Sequence, residues 1–208
     1  MRMIQRHRAL LLLTALCLLC LTACGGTSSG QNQNGTPPAN ATATTPPKAK
    51  PTGVPALTVA YCTGLMSLTE ANQIMQPATA ATSIQVDKGG TGGGSCNWEY
   101  DSFHSTVTVL FESYPQGTSL DAIVAQSLAA VQNAPGAKTS KTTVTGVGDQ
   151  AFYITVSAQV GTGIWEDVLA TTYGSVYISC LKLGSGAPPA ASLQQPLTQV
   201  CQQVISRM

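Results

Sequence analysis

The sequence predicts an α+β domain over residues 56–208, with a mostly antiparallel sheet that is covered by helices on at least one face. Six segments of this region have alternating apolar residues, which is typical of strands that are buried on one side. Three other segments have apolar residues at helical spacing, and the order α-β-β-α-β-β-β-β-α alternates too rarely for a parallel sheet. An even number of cysteines in this region indicates that disulfides cross-link the domain.

The first 23 residues have the pattern of a lipoprotein signal peptide. Three arginines precede an apolar run that ends near Ala23, and this run is shorter than the ~20 apolar residues of a spanning helix. The segment Leu21-Thr22-Ala23-Cys24 resembles the bacterial lipobox, which implies that the chain is cut before Cys24 and that the Cys24 thiol is acylated. Two acyl chains anchor a protein stably at a membrane. The alternative is an ordinary secretory signal with a chance cysteine at this position.

The sequence of residues 24–55 predicts a lipid anchor followed by a disordered tether. After the cysteine, the segment has no aromatic residue, leucine or isoleucine; it contains six prolines, and Lys48 and Lys50 are its only charged residues. Such a composition buries too little apolar surface to offset the entropy cost of ordering the chain. We expect this segment to hold the folded domain away from a lipid surface.

The charge of residues 56–208 argues against a nucleic-acid partner. This region contains nine acidic residues against five lysines and arginines, so its net charge is −4. Nucleic-acid-binding domains instead carry lysine and arginine clustered on one face. We therefore expect no nucleic acid among the partners, and no sequence motif calls for a cofactor.

The first half of the domain contains two predicted helices and two predicted strands. A first helix begins after Ser67, which forms a capping box with Glu70, and it ends before Pro77. The segments SCNWEY and STVTVLFE alternate as strands. A second helix begins at Ser119 and ends near Pro135.

The second half contains four predicted strands and a terminal helix. Alternation predicts the strands over residues 141–145, 151–157, 164–172 and 175–181. The segment Tyr173-Gly174-Ser175 predicts a tight hairpin between the last two strands, because glycine tolerates a positive φ. A final helix is expected from about Gln195 to Arg207, with Pro196 in its first turn.

Four cysteines remain once the signal peptide and the anchor are excluded, namely Cys62, Cys96, Cys180 and Cys201. Three pairings are possible in principle. Cys180 shares one face of a strand with two apolar residues, and Cys201 lies on the apolar stripe of the last helix, so that a disulfide can join this strand to this helix. Cys62 then pairs with Cys96 by elimination. A metal site is not expected, because no two of the four have Cys-x₂₋₄-Cys spacing.

Several motifs together resemble a known family. They are the lipobox with its low-complexity tether, the segments YCTGLMSLTEANQIM, SCNWEY and VTGVGDQAFY, a late cysteine and a terminal helix. In this combination the chain resembles small actinobacterial lipoproteins of a domain-of-unknown-function family, which are similar to the extracellular sensor domain of mycobacterial serine/threonine kinases. The resemblance covers most of residues 61–207. It implies a compact α+β domain, disulfides among the four cysteines, a surface location and no established catalytic residue.

Candidates for catalytic chemistry are few. His104 is the single histidine outside the signal peptide, and a Ser-His-Asp site would have to be built around it. We expect His104 to be a solvated loop residue. Glu166 and Asp167 are strand neighbours that point to opposite faces and cannot easily act as one acid pair. Glu99 and Asp101 can share a face but lack a third ligand for a metal.

The glycine-rich segments and the aromatic residues have structural interpretations. The segment KGGTGGGS at residues 88–95 lacks the spacing of a phosphate-binding loop and is expected to be a flexible loop before the first strand. The segment GVGDQA at residues 146–151 predicts a turn that enters a strand. Core and sheet-surface positions, rather than a ligand platform, are expected for Trp98, Tyr100, Trp165, Tyr173 and Tyr177.

These observations favour a binding or interaction module over an enzyme. We expect a protein that is anchored through Cys24 at the outer face of the cytoplasmic membrane and recognises a small molecule, a glycan or an envelope protein. The alternative is an envelope hydrolase or modifying enzyme that uses His104. A pocket that encloses His104 with a serine and a carboxylate would favour the enzyme, whereas an apolar cleft without titratable groups would favour binding.

Overall fold

The computed structural model of the chain describes residues 49–89, 92–101, 104–115 and 117–208. One compact unit runs from Lys50 to Met208. It begins six residues before the boundary at Ala56 that the composition predicts. Cys24, the predicted signal peptide and the predicted tether up to residue 48 lie outside the described residues.

The described residues form four helices and seven strands. The helices are α1 (Val59–Leu65), α2 (Leu68–Met75), α3 (Leu120–Val131) and α4 (Gln194–Arg207). The strands are β1 (Ser83–Lys88), β2 (Gly93–Asp101), β3 (His104–Ser113), β4 (Lys138–Val144), β5 (Gln150–Ala158), β6 (Ile164–Tyr173) and β7 (Val176–Ser185). Within the described ranges no helix combines the length and the apolar character that a membrane span requires.

All seven strands belong to one antiparallel sheet. Their order is β1-β2-β3-β7-β6-β5-β4, and every neighbouring pair is antiparallel. The strand β7 therefore lies at the centre, where it joins the β1–β3 meander to the β4–β7 meander. This sheet and its helices confirm the predicted α+β class with a mostly antiparallel sheet.

The two faces of the sheet carry separate apolar clusters. The helices α1, α2 and α4 pack over one face, here called the three-helix face, which buries Phe111, Leu169 and Ile178. The helix α3 packs over β5 and β6 on the opposite face, here called the α3 face, which buries Phe152 and Ile154. The sheet is thus the middle layer of the domain, with helices on both sides.

Two elements, α1 and β1, are additional to those that the sequence predicts. The helix α1 has only seven residues, and its cap is the Thr58 hydroxyl, which accepts a hydrogen bond from the Tyr61 backbone N–H. The strand β1 offers two apolar side chains, Ile84 and Val86, and it forms one edge of the sheet. Both elements are too short for their periodicity to stand out. The glycine-rich segment accordingly connects β1 to β2 instead of preceding the first strand.

Two disulfides join helices to the sheet. Cys62 of α1 is bonded to Cys96 of β2, with their Cα atoms 5.7 Å apart. Cys180 of β7 is bonded to Cys201 of α4, with their Cα atoms 5.9 Å apart. All four cysteines are buried. These are the two pairs that the sequence analysis predicts, although Cys96 lies in the second strand of the sheet and Cys62 lies inside a helix.

The first residues of the compact unit lie against the turn between β6 and β7. The Pro51 carbonyl accepts a hydrogen bond from the Ser175 backbone N–H at 3.2 Å, and Lys50 forms an ion pair with Asp149. Gly174, in the turn, has a φ of 63°, and a Cβ at this position would lie 2.4 Å from the Pro51 carbonyl oxygen. Glycine is therefore needed both for the predicted hairpin turn and for the approach of the incoming chain.

Candidate functional site

A cluster of aromatic and charged side chains lies on the three-helix face, at the ends of β6 and β7 that are remote from their connecting turn. Trp165 and Asp167 of β6 are the register partners of Gly184 and Lys182 of β7. Strand alternation places all four on one face. Lys182 in turn reaches an aromatic pair at the ends of β2 and β3. We call this cluster the aromatic patch and define it as Tyr100, His104, Trp165, Asp167 and Lys182.

The indole ring of Trp165 packs directly on Gly184. A Cβ at position 184 would lie 2.2 Å from Cζ2 and 2.3 Å from Cε2 of the ring, so the ring occupies the space of a missing side chain. Trp165 is nevertheless partly exposed. The glycine therefore makes room for a large aromatic ring that solvent or a ligand can still reach.

Asp167 is buried, with 6 % of its surface exposed. Its carboxyl group is hydrogen-bonded to the hydroxyl of Tyr153 on β5. Burial raises the pKa of Asp167, and the Tyr153 hydrogen bond offsets part of this effect. A neutral donor, rather than a cation, thus holds this carboxyl group in place.

Lys182 lies beside Asp167 in the register, but its ammonium group is turned towards β2 and β3. Its Nζ donates a hydrogen bond to the Ser105 carbonyl and lies 5.5 Å from the centroid of the Tyr100 ring. Burial lowers the pKa of Lys182. Among the described residues, none of the four salt bridges joins Lys182 to Asp167. The aromatic patch thus contains an acid and a base that are partly withdrawn from water without forming a direct pair.

His104 lies in an exposed pair with Asp101. The His104 Nδ1 is 2.9 Å from the Asp101 Oδ1, and the two side chains are 57 % and 48 % exposed. The imidazole ring also stacks on Tyr100, with centroids 5.6 Å apart and planes inclined by 7°. His104 is therefore exposed, as expected, but it is the first residue of β3 rather than a loop residue.

The other acidic and aromatic candidates lie apart from the patch. Glu166 projects from the α3 face, because it alternates with Asp167, and burial raises its pKa. Trp98 is fully buried, and its indole N–H donates to the Met66 carbonyl at 2.9 Å. Tyr177 is also buried. Trp98 and Tyr177 thus occupy core positions and Tyr100 and Trp165 partly exposed positions on the sheet, as expected, and the latter two belong to the aromatic patch.

The segment GVGDQA has the structural role that its sequence predicts. Gly146 and Gly148 have φ values of 77° and 55°, which favour glycine. The Asp149 carboxylate accepts a hydrogen bond from the Gly174 backbone N–H at 3.0 Å. This segment therefore ties the start of β5 to the turn between β6 and β7.

The described part of the chain contains no arrangement of three His, Cys, Asp or Glu side chains that could hold a metal ion. Two clefts have no residue of the aromatic patch in their linings. One, of about 630 Å³, lies beside the β6–β7 turn and is bordered by Lys50 and Pro51. The other, of about 450 Å³, lies between Val144 and the start of α4. His104 lines neither cleft.

Comparisons with known proteins do not assign the chain to a family. No family model matches it, and no curated protein matches it in sequence. The resemblance to small actinobacterial lipoproteins therefore depends on the quoted motifs alone.

Sequence reasoning missed Lys182 and Gly184 as site residues. Both belong to the strand that continues after Cys180, which alternation predicts only as far as Leu181, whereas β7 extends to Ser185. The signal that could have pointed to them is a glycine paired with a tryptophan on the neighbouring strand, because such a glycine can mark a position where an aromatic ring needs space.

Proposed function

We propose that this protein is a lipid-anchored bacterial envelope protein whose extracytoplasmic domain is a binding module, with the aromatic patch as its ligand-contacting surface. The lipobox-like Leu21-Thr22-Ala23-Cys24 and the tether composition support the anchor at the outer face of the cytoplasmic membrane. Two buried disulfides agree with an oxidising compartment outside the cytoplasm. The resemblance to actinobacterial lipoproteins of unknown function points in the same direction.

The observation that carries the binding proposal is how Asp167 and Lys182 are buried and paired. Both are partly withdrawn from water, and no salt bridge in the described ranges joins them. Desolvating charged groups without pairing them lowers the stability of a fold. Such an arrangement, bordered by partly exposed aromatic rings, is typical of a site that is arranged for a ligand rather than for stability.

The alternative, a hydrolase that uses His104, is supported by one observation. The hydrogen bond between the His104 Nδ1 and Asp101 matches the orientation of a histidine by a carboxylate in a triad. Asp101 is the one hydrogen-bond partner of this ring in the described ranges, and the pair is exposed rather than enclosed in a cleft. We therefore favour binding over hydrolysis.

The anchor is tested with Cys24→Ala in the full-length chain. We expect the wild-type protein to incorporate labelled palmitate and to partition into a detergent phase, and the variant to do neither. A variant that is still cut at the same position and still partitions into detergent would contradict the anchor.

The binding surface is tested by co-purification from solubilised membranes, followed by mass spectrometry. The wild type is compared with the double variant Trp165→Ala/Asp167→Asn and with the control Thr139→Ala, which changes an exposed residue of β4. We expect companion molecules with the wild type and the control, and their loss with the double variant. Equal recovery with all three proteins would show that the aromatic patch is not the binding surface.

A further inference from the structure

We infer that the ligand of the aromatic patch is a glycan chain, recognised by sugar rings that stack on Trp165 and by hydroxyl groups that bond to Asp167 and Lys182. This inference rests on the proposed binding function and adds the chemical class of the ligand to it.

The partly exposed side chain of Trp165 suits the apolar face of a sugar. Pyranose rings present a face of C–H groups that packs on an aromatic ring, while their hydroxyl groups project around the edge. The indole ring is held in place by its contact with Gly184 on the neighbouring strand. A ring that is fixed before binding loses little conformational entropy when the ligand arrives.

The charges of the patch favour a neutral ligand with many hydroxyl groups. Asp167 and Lys182 have opposite signs and lie on adjacent strands, so a phosphate or an organic cation would meet one attractive and one repulsive group. A hydroxyl group can donate to a carboxylate and accept from an ammonium group. Hydroxyl groups at different positions along a glycan chain can therefore bond to Asp167 and to Lys182.

The extent of the patch indicates a chain rather than a single sugar. Trp165 lies on β6 and Tyr100 on β2, which are three strand positions apart in the sheet order. With ~4.8 Å between neighbouring strands, the two aromatic positions are roughly 14 Å apart, a distance that one sugar ring does not cover. The second platform is the stacked pair of Tyr100 and His104, which lies next to Lys182.

The position of the patch argues against a lipid or a compact apolar ligand. Such ligands are usually enclosed in clefts that cover most of their surface. Neither of the two clefts described above is lined by a residue of the patch. Partly exposed aromatic side chains along one surface instead suit an extended polymer that touches the protein along one side.

The two tryptophans provide the assay. Trp98 is fully buried, whereas Trp165 is partly exposed, so acrylamide quenching reports mainly on Trp165. The folded domain is applied to an array of bacterial glycans, and chitotetraose is titrated in solution as a defined probe. We expect saturable binding to at least one glycan, together with protection of the Trp165 fluorescence from acrylamide.

Variants separate stacking from a general loss of structure. Trp165→Ala is expected to weaken glycan binding by about tenfold or more, whereas Trp165→Tyr retains an aromatic ring and is expected to restore most of it. Thr139→Ala is the control. The shielded fluorescence of Trp98 reports whether each variant is folded. Absence of binding to every glycan of the array and to chitotetraose, or equal binding by folded Trp165→Ala, overturns the inference.

This outcome is distinguishable from failure of the proposed function. If companion molecules from membranes still depend on Trp165 and Asp167 while no glycan binds, the binding surface is correct and the ligand class is wrong. If neither companions nor glycans depend on these residues, the proposed function of the patch fails as well.

Discussion

At the scale of single residues, Asp167 is expected to destabilise the fold at neutral pH. It is buried, and burial raises its pKa. A carboxyl group whose pKa is higher in the folded than in the unfolded state contributes stability at pH values below its unfolded-state pKa of about 3.9. This contribution is lost as the pH rises through the folded-state pKa. We predict that Asp167→Asn increases the free energy of unfolding at pH 7 and that the increase disappears towards about pH 4.

The measurement is urea unfolding of both proteins at several pH values. Asparagine has the same shape and still accepts the hydrogen bond of Tyr153. Asp121→Asn is a matched control with the opposite expected sign, because a hydrogen bond from Lys141 lowers the pKa of Asp121. An Asp167→Asn domain that is less stable than the wild type at pH 7 would remove the main reason to assign this residue to ligand binding.

The contribution of Glu70 to the stability of the domain has the opposite dependence on pH. The Arg207 guanidinium donates to both of its carboxylate oxygens, at 2.6 Å and 3.0 Å. Hydrogen bonds from Arg207 and from the Ser67 backbone hold the pKa of Glu70 at about 2. Its contribution to stability is therefore present above the unfolded value of about 4.3 and is lost as the pH falls towards 2.

We predict that Glu70→Gln lowers the Tm at pH 7 and flattens the dependence of the Tm on pH between about 4.5 and 2. The ion pair is near the surface and screened by water, so about 1 kcal/mol is expected, which corresponds to roughly 2 to 4 °C in a domain of this size. Calorimetry over this pH range is the measurement. An unchanged acid slope in the variant would contradict the assignment.

At the scale of elements, each disulfide fixes one helix to the sheet. The sequence separations are 34 residues for Cys62–Cys96 and 21 for Cys180–Cys201. Closing loops of these lengths is worth about 3 to 4 kcal/mol each in the chain-entropy model. We predict that Cys180→Ala/Cys201→Ala loses about this much in urea unfolding. Peptide mapping without reductant checks the pairing, and a peptide that links Cys62 to Cys180 would contradict it.

The first residues of the compact unit form a second element-scale feature. The composition predicts that residues before about Val54 are dispensable for folding, yet Lys50 and Pro51 bond to Asp149 and Ser175. We predict that a chain starting at Lys50 melts like the longer mature chain. A chain starting at Pro55 should melt roughly 2 to 4 °C lower if these contacts contribute about 1 kcal/mol. Equal melting of both shortened chains would restore the original expectation.

Elements were predictable from the sequence when they are long or when a recognisable capping or turn residue marks where they begin or end. The helix α2 was predictable because Ser67 and Glu70 form a capping box, which the structure contains. The hairpin at Gly174 was predictable because a positive φ needs glycine. The helix α1 and the edge strand β1 were not, because their stability comes from a disulfide and from pairing with β2, which local patterns do not encode.

At the scale of the whole molecule, the candidate site was less predictable than the fold. The aromatic patch combines positions near 100, 165 and 182, and only the strand order β2-β3-β7-β6 brings them to one surface. Alternation showed that Asp167 and Glu166 point to opposite faces, but it did not show which of the two would lie near Lys182 and the aromatic residues. The disulfide between Cys180 and Cys201 was predictable because each cysteine lies on the apolar face of its element, and the pair of Cys62 and Cys96 followed by elimination.

The bond between Cys62 and Cys96 also decides how the domain responds to tension. If the chain is anchored through its N-terminal side, a pull on the domain first acts on Lys50 and Pro51, whose contacts are non-covalent. Unravelling from that side can proceed as far as Cys62, where a covalent bond passes the load to β2. This strand is hydrogen-bonded to a neighbour on each side. In an anchored chain, this bond would therefore limit unravelling under tension to the residues before Cys62.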